Sequence, residues 1–149
     1  MNKQLVEAQQ RVEKLTAELE NELGLSGWWR IKHVFSELPD EASAEGGTGS
    51  AARTTAMTST LWHYRQAEIT WFLPSVAIID DDYLEWVAVH EYVHILNDPL
   101  ASFLFDYLRD DESTTEQLRV LGHHANMTEF VTENLCRVIQ RARGKDVPA

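Results

Sequence analysis

Cysteine is nearly absent from this sequence, with Cys136 as the only one. A single thiol excludes an internal disulfide and a zinc cluster built on cysteines. Positive charge is also scarce. Thirteen Lys and Arg stand against 24 Asp and Glu, a formal net charge of -11. That balance argues against nucleic-acid binding over the whole surface. The one basic cluster, Arg137, Arg141, Arg143 and Lys145, falls in the tail and reads as a solvated helix end, where cations meet the negative pole of the helix dipole. No apolar run approaches the length that crosses a bilayer, and the stretch Val76 to Ile79 ends at Asp80-Asp81-Asp82. The N-terminus lacks a charged-then-apolar leader pattern. These absences lead us to expect a cytoplasmic protein with neither a membrane nor a nucleic acid as partner.

What is present suits one packed α+β domain over residues 1–149, with 44% apolar residues and five Trp. Residues 3–23 predict an amphipathic helix, since Leu5, Val12, Leu15, Leu19 and Leu23 recur at helical spacing and Gly24 ends it. This segment, 1–24, is the candidate for self-association. Its irregular spacing, unlike a strict seven-residue repeat, favours packing on its own domain, so a monomer is expected. Segment 28–35 alternates apolar and polar from Trp29 to Val34, the period of a strand. Segment 39–60, rich in Gly, Ser, Thr and Ala, reads as a flexible loop that would serve as a lid or a self-cleavage site. Strand character returns over 61–73, with Trp62, Tyr64, Ile69, Trp71 and Phe72, until Pro74.

Beyond that strand the pattern is helical. Asp80 to Asp82 offer N-cap carboxylates to a helix running to about Asn97. Asp98-Pro99 reads as a new cap opening a helix over 99–109. After a polar break from Asp110 to Thr114, a short helix is predicted over 115–121. Past Gly122-His123-His124, a last helix carries Phe130, Val131, Leu135, Val138 and Ile139 to about Arg143. Residues 141–149 read as a flexible tail.

Chemistry concentrates in His90-Glu91-Tyr92-Val93-His94. Two His four positions apart on a helix leave from one face, and their rings can meet one metal ion at about 2.0–2.1 Å each. Glu91, one step round the helix, reaches the open side of that metal, where a general base belongs. Tyr92 points away, into packing. The residues from Val87 to Val89 and Ile95-Leu96 are uncharged, as a buried metal-binding helix requires.

On these residues the sequence resembles the zincin metallopeptidases, whose apolar-flanked HExxH helix packs behind a short twisted sheet. The metzincin extension would place Gly at 97 and His at 100, where this chain has Asn97 and Leu100. The segment from Thr128 to Leu135 looks like the gluzincin arrangement, in which a downstream helix gives a Glu to the metal. The resemblance therefore implies Zn2+ bound by His90, His94 and Glu129, with Glu91 as catalytic base. Glu133, His123 and His124 remain alternatives for the third ligand, and Asp98 and Asp106 rank below them. His123 or His124 would otherwise stabilise an oxyanion. His33 and His63, on predicted strands, read as surface or structural residues. The layout over about 28–140 is similar to small zincin-like proteins encoded by bacteriophages and some bacteria. The implied activity is hydrolysis of a peptide or protein substrate, bound by strand addition at an edge strand over 61–73. The alternative is a zinc-binding module of the same fold that acts in protein–protein interaction or regulation without catalysis.

Overall fold

The computed structural model describes residues 2–38, 54–109 and 114–145, with side chains described outside 103–121. Residues 39–53 of the expected loop, the 110–113 part of the polar break, the tail from 146 and the side chain of Asp106 lie outside the described residues. Among the described residues the fold is mixed α+β, with four helices and one three-stranded sheet.

Helix α1, Lys3–Glu22, opens on Asn2, whose side chain accepts from the Gln4 amide. It closes before Gly24, which takes the left-handed conformation at φ +67°. Its buried row is Ala8, Val12, Thr16 and Leu19, and this face belongs to the core of its own domain. Thr16 is tolerated there because its hydroxyl donates to the Val12 carbonyl at 2.9 Å.

Strand β1, Arg30–Ser36, lies parallel to β3, Gln66–Phe72, while β2, Ala56–Leu61, lies antiparallel to β3 on its other side. The order is thus β1-β3-β2. In β3, Ala67, Ile69 and Trp71 are buried and alternate with Gln66, Glu68 and Thr70, and the most apolar strand takes the central place. This corrects two sequence expectations. Part of the 39–60 loop is the strand β2, and the edge beside the helices is β2 rather than 61–73. Residues 62–64 form a 3-10 turn, and Arg65 at φ +51° completes the β2–β3 connection. His63 therefore sits in a turn and not on a strand.

A short helix α2, Leu73–Val76, with Pro74 in its first turn, follows β3 directly. Arg11 of α1 donates to the carbonyls of Val76 at 3.2 Å and Ile79 at 2.8 Å and pairs with Asp81 at 2.7 Å. Helix α3 spans Asp81–Arg109, capped by Asp80 Oδ1, which accepts from the Tyr83 amide at 2.8 Å. The break expected at Asp98-Pro99 does not occur. Asp98 bonds to side chains and caps no backbone amide, and the helix continues through Pro99. Likewise α4 is one helix, Thr114–Ala142, through Gly122, where sequence signals suggested two. Glycine inside a helix costs only about 1 kcal/mol, and packing along α3 overrides it.

The end of α4 is anchored, contrary to a flexible tail from 141. Gly144, at φ +71°, donates to Arg141 O at 3.0 Å and Lys145 N to Gln140 O at 2.9 Å, the paired bonds of a Schellman turn. Arg143 and Lys145 then bind Glu85 of α3, and Arg143 also binds Glu22 of α1. No helix among the described residues is long and apolar enough to cross a membrane.

Candidate metal centre

Helix periodicity fixes the first half of the site. His90 and His94 lie one turn apart on α3, half-buried, with their Nε2 atoms 2.9 Å from each other. Helix α4 supplies the second half, since it packs along α3 and brings Glu129 over the same face. Glu129 Oε2 is 3.6 Å from His90 Nε2 and Glu129 Oε1 is 3.4 Å from His94 Nε2. The three ligand atoms lie within 4.8 Å of one another, so His90, His94 and Glu129 could hold a metal ion.

The spacing tests the fit. Donors at about 2.0–2.1 Å on tetrahedral corners stand about 3.3 Å apart. The nearest approaches here lie around that figure, at 2.9 Å between the two rings and 3.4 and 3.6 Å from the rings to the two different oxygens of Glu129. The chemistry agrees. Burial and the neighbouring His94 hold the His90 ring below its ordinary pKa, which favours the neutral form that binds metals. Three converging acceptors sharing at most a proton or two are a poor arrangement by themselves, and one divalent cation satisfies all three.

Glu91 stands beside this group, 7% exposed. Burial pushes its carboxyl group above the usual carboxylate range, and a hydrogen bond from Thr58 Oγ1 at 2.6 Å pulls it partway back. Thr58 is on β2, where the inward residues Ala56, Thr58 and Thr60 face α3. Thr60 in turn donates to Asp98. Sequence reading passed over both threonines because they fell inside the expected loop. The available signal was the alternation of β-branched Thr58 and Thr60 with Met57, Ser59 and Leu61. A cavity of about 310 Å³ lined by Thr58, Glu91, His94, Asp98 and Glu129 opens at this point. It adjoins a larger cleft of about 610 Å³ that shares His94, Asp98 and Glu129.

The other candidates separate cleanly. Glu133 and His123 are exposed and stand outside the group that could hold a metal ion. His124 and His63 line the larger cleft. Tyr92 is fully buried and directed away from the His90, His94 and Glu129 group, and its hydroxyl donates to Glu20 at 3.1 Å. His33 joins the same network. Trp71 Nε1 donates to its Nδ1 at 3.0 Å, so its Nε2 is the nitrogen that donates to Glu20, at 2.7 Å. The residue after Glu91 thus ties α3 to α1, β1 and β3. No protein family, curated protein or solved structure matches this chain.

Proposed function

We propose that this chain is a zinc-dependent peptide hydrolase of the zincin type, with His90, His94 and Glu129 as metal ligands and Glu91 as general base. The observation that carries this reading is the convergence of those three donors within 4.8 Å beside a buried glutamate that lines a cavity. Bound there, zinc would acidify a water molecule and polarise a substrate carbonyl. Thr58 engages Glu91 Oε2, which leaves Oε1 to take the proton of the attacking water and return it to the leaving nitrogen. Among the described residues no strand pairs with the outer edge of β2, where an extended peptide would add, while Thr58 and Thr60 fix that strand against α3. The adjoining cleft of about 610 Å³ gives a substrate room, which favours an enzyme over a zinc-binding module without a substrate.

The test combines metal analysis with cleavage. Native mass spectrometry is expected to find one zinc per chain, lost in His90→Ala. Glu91→Gln is expected to keep the metal and to lose cleavage of unfolded protein by about a hundredfold or more, the usual contribution of a general base. Undiminished cleavage by Glu91→Gln would overturn the mechanism, and zinc binding without any cleavage by the wild type would point to the module.

A further inference from the structure

The cleft that continues from the metal centre contains a second carboxyl group. Its walls are the segment Leu61 to Tyr64 on one side and α3 and α4 on the other. Asp98 follows His94 on the same face of α3, about 6 Å further along the axis at ~1.5 Å per residue. Two hydroxyls orient its side chain. Thr60 Oγ1 donates to Oδ2, and Ser102 Oγ donates to Oδ1 at 3.1 Å. A carboxylate has about four acceptor sites, so these two bonds fix its plane and leave acceptor capacity facing the cleft. Among the described residues that line the cleft there is no Lys or Arg. If Glu129 is committed to the metal, Asp98 is the cleft carboxylate left without a cation among the described residues.

We propose that this cleft is a specificity subsite for a lysine or arginine side chain of the peptide, selected by Asp98. The proposal deepens the peptide-hydrolase reading and rests on it. A basic side chain gains a charge-assisted hydrogen bond to Asp98. Its methylene stem lies along Leu61 and Tyr64, with the Trp62 and Tyr64 rings favourable to a cation. An apolar side chain leaves Asp98 desolvated and unpaired, and an acidic one meets like charge. An aspartate in a serine-protease specificity pocket selects basic residues on the same principle. The 6 Å offset is about two residues of extended chain at ~3.3 Å each, so the basic residue lies close to the scissile bond.

Two measurements on the full zinc-loaded chain decide the matter. The first is binding of fluorescein-labelled alanine-rich peptides, carrying one lysine or one norleucine, to Glu91→Gln protein by anisotropy. The lysine peptide is expected to bind about tenfold tighter, as a charge-assisted hydrogen bond predicts. Asp98→Asn in the same background is expected to erase the difference, and Asp98→Glu to restore part of it. Equal binding of the two peptides, or a preference unchanged in Asp98→Asn, overturns the subsite. The second is cleavage-site mapping with wild type and Asp98→Asn on an unfolded protein. Cleavage beside basic residues in the wild type alone supports the subsite. Cleavage without that preference overturns the subsite and leaves the hydrolase reading standing. Lysine-selective binding without cleavage keeps the subsite and sinks the hydrolase.

Discussion

Thr58 Oγ1 donates to Glu91 Oε2 at 2.6 Å, so the edge strand holds the carboxyl group that we propose as the base. Two effects oppose each other there. Burial raises the Glu91 pKa and the Thr58 bond lowers it. Thr58→Val removes the bond at nearly constant shape, which raises the pKa further. The ionised fraction at a given pH falls, and the acidic limb of a plot of kcat/KM against pH is expected to move to higher pH. Loss of one such bond, about 1 kcal/mol, lowers kcat/KM by up to about fivefold, and the loss is largest on the acidic limb. Thr58→Ser keeps the donor and is expected to restore both. An acidic limb unmoved in Thr58→Val would contradict this role.

The same burial has a stability consequence in the metal-free protein. The folded Glu91 pKa lies above its unfolded value, chiefly because the group is buried. Below the unfolded value of about 4.3, the group is protonated in both states and costs nothing. As pH rises the unfolded chain ionises first, stability falls, and the full loss is present above the folded pKa. Glu91→Gln removes that loss. With zinc chelated, the variant is expected to melt at higher temperature than the wild type at pH 8 and at the same temperature at pH 4. A lower Tm for the variant at pH 8 would reverse the sign of the argument.

Glu129 and Glu133 lie one turn apart on α4, and only Glu129 belongs to the group that could hold a metal. Removing an outer contact to a metal ligand costs about 10- to 100-fold in affinity. Loss of Glu129, a direct ligand in our reading, is expected to exceed that. Competition against a chromophoric chelator should show zinc affinity falling by more than about a hundredfold in Glu129→Ala and staying within about twofold in Glu133→Ala. Equal losses in the two variants would mean that the third ligand is not Glu129.

The parts of this site that were legible in the sequence are the local ones. His90 and His94 share a face because four residues make about one turn, whatever the surroundings. Likewise the carboxylate of Asp80 caps α3 as its position suggests. What escaped is set by contacts between distant segments. Strand β2 is short and polar, and its conformation is fixed by pairing with β3 and by the bonds from Thr58 and Thr60 to α3. No short window of sequence contains those partners. The interruptions read at Pro99 and Gly122 were real local signals, overridden by packing between α3 and α4. Arg143, read as part of a solvated helix end, is 18% exposed because its partners come from α1 and α3.

Those partners make Arg143 a structural clamp. Its guanidinium donates to both carboxylate oxygens of Glu22 at 2.9 Å and to Oε1 of Glu85, whose other oxygen is 3.1 Å from Lys145. The Glu22 end is half-exposed and contributes little. The Glu85 end is 11% exposed, and removing Arg143 leaves a nearly buried carboxylate with Lys145 as its remaining cation. Between the values for exposed and buried pairs, Arg143→Ala is expected to cost about 1–3 kcal/mol. The pH dependence has a definite sign. Hydrogen bonding to Arg143 holds the Glu22 pKa below its ordinary value. That stability is present above the unfolded pKa of about 4.3 and is lost as pH falls through the lower folded value. Chemical denaturation should therefore show the gap between wild type and Arg143→Ala at pH 7, narrowing below pH 4. A gap that stays constant on acidification would mean that Arg143 acts through packing of its stem and not through these carboxylates.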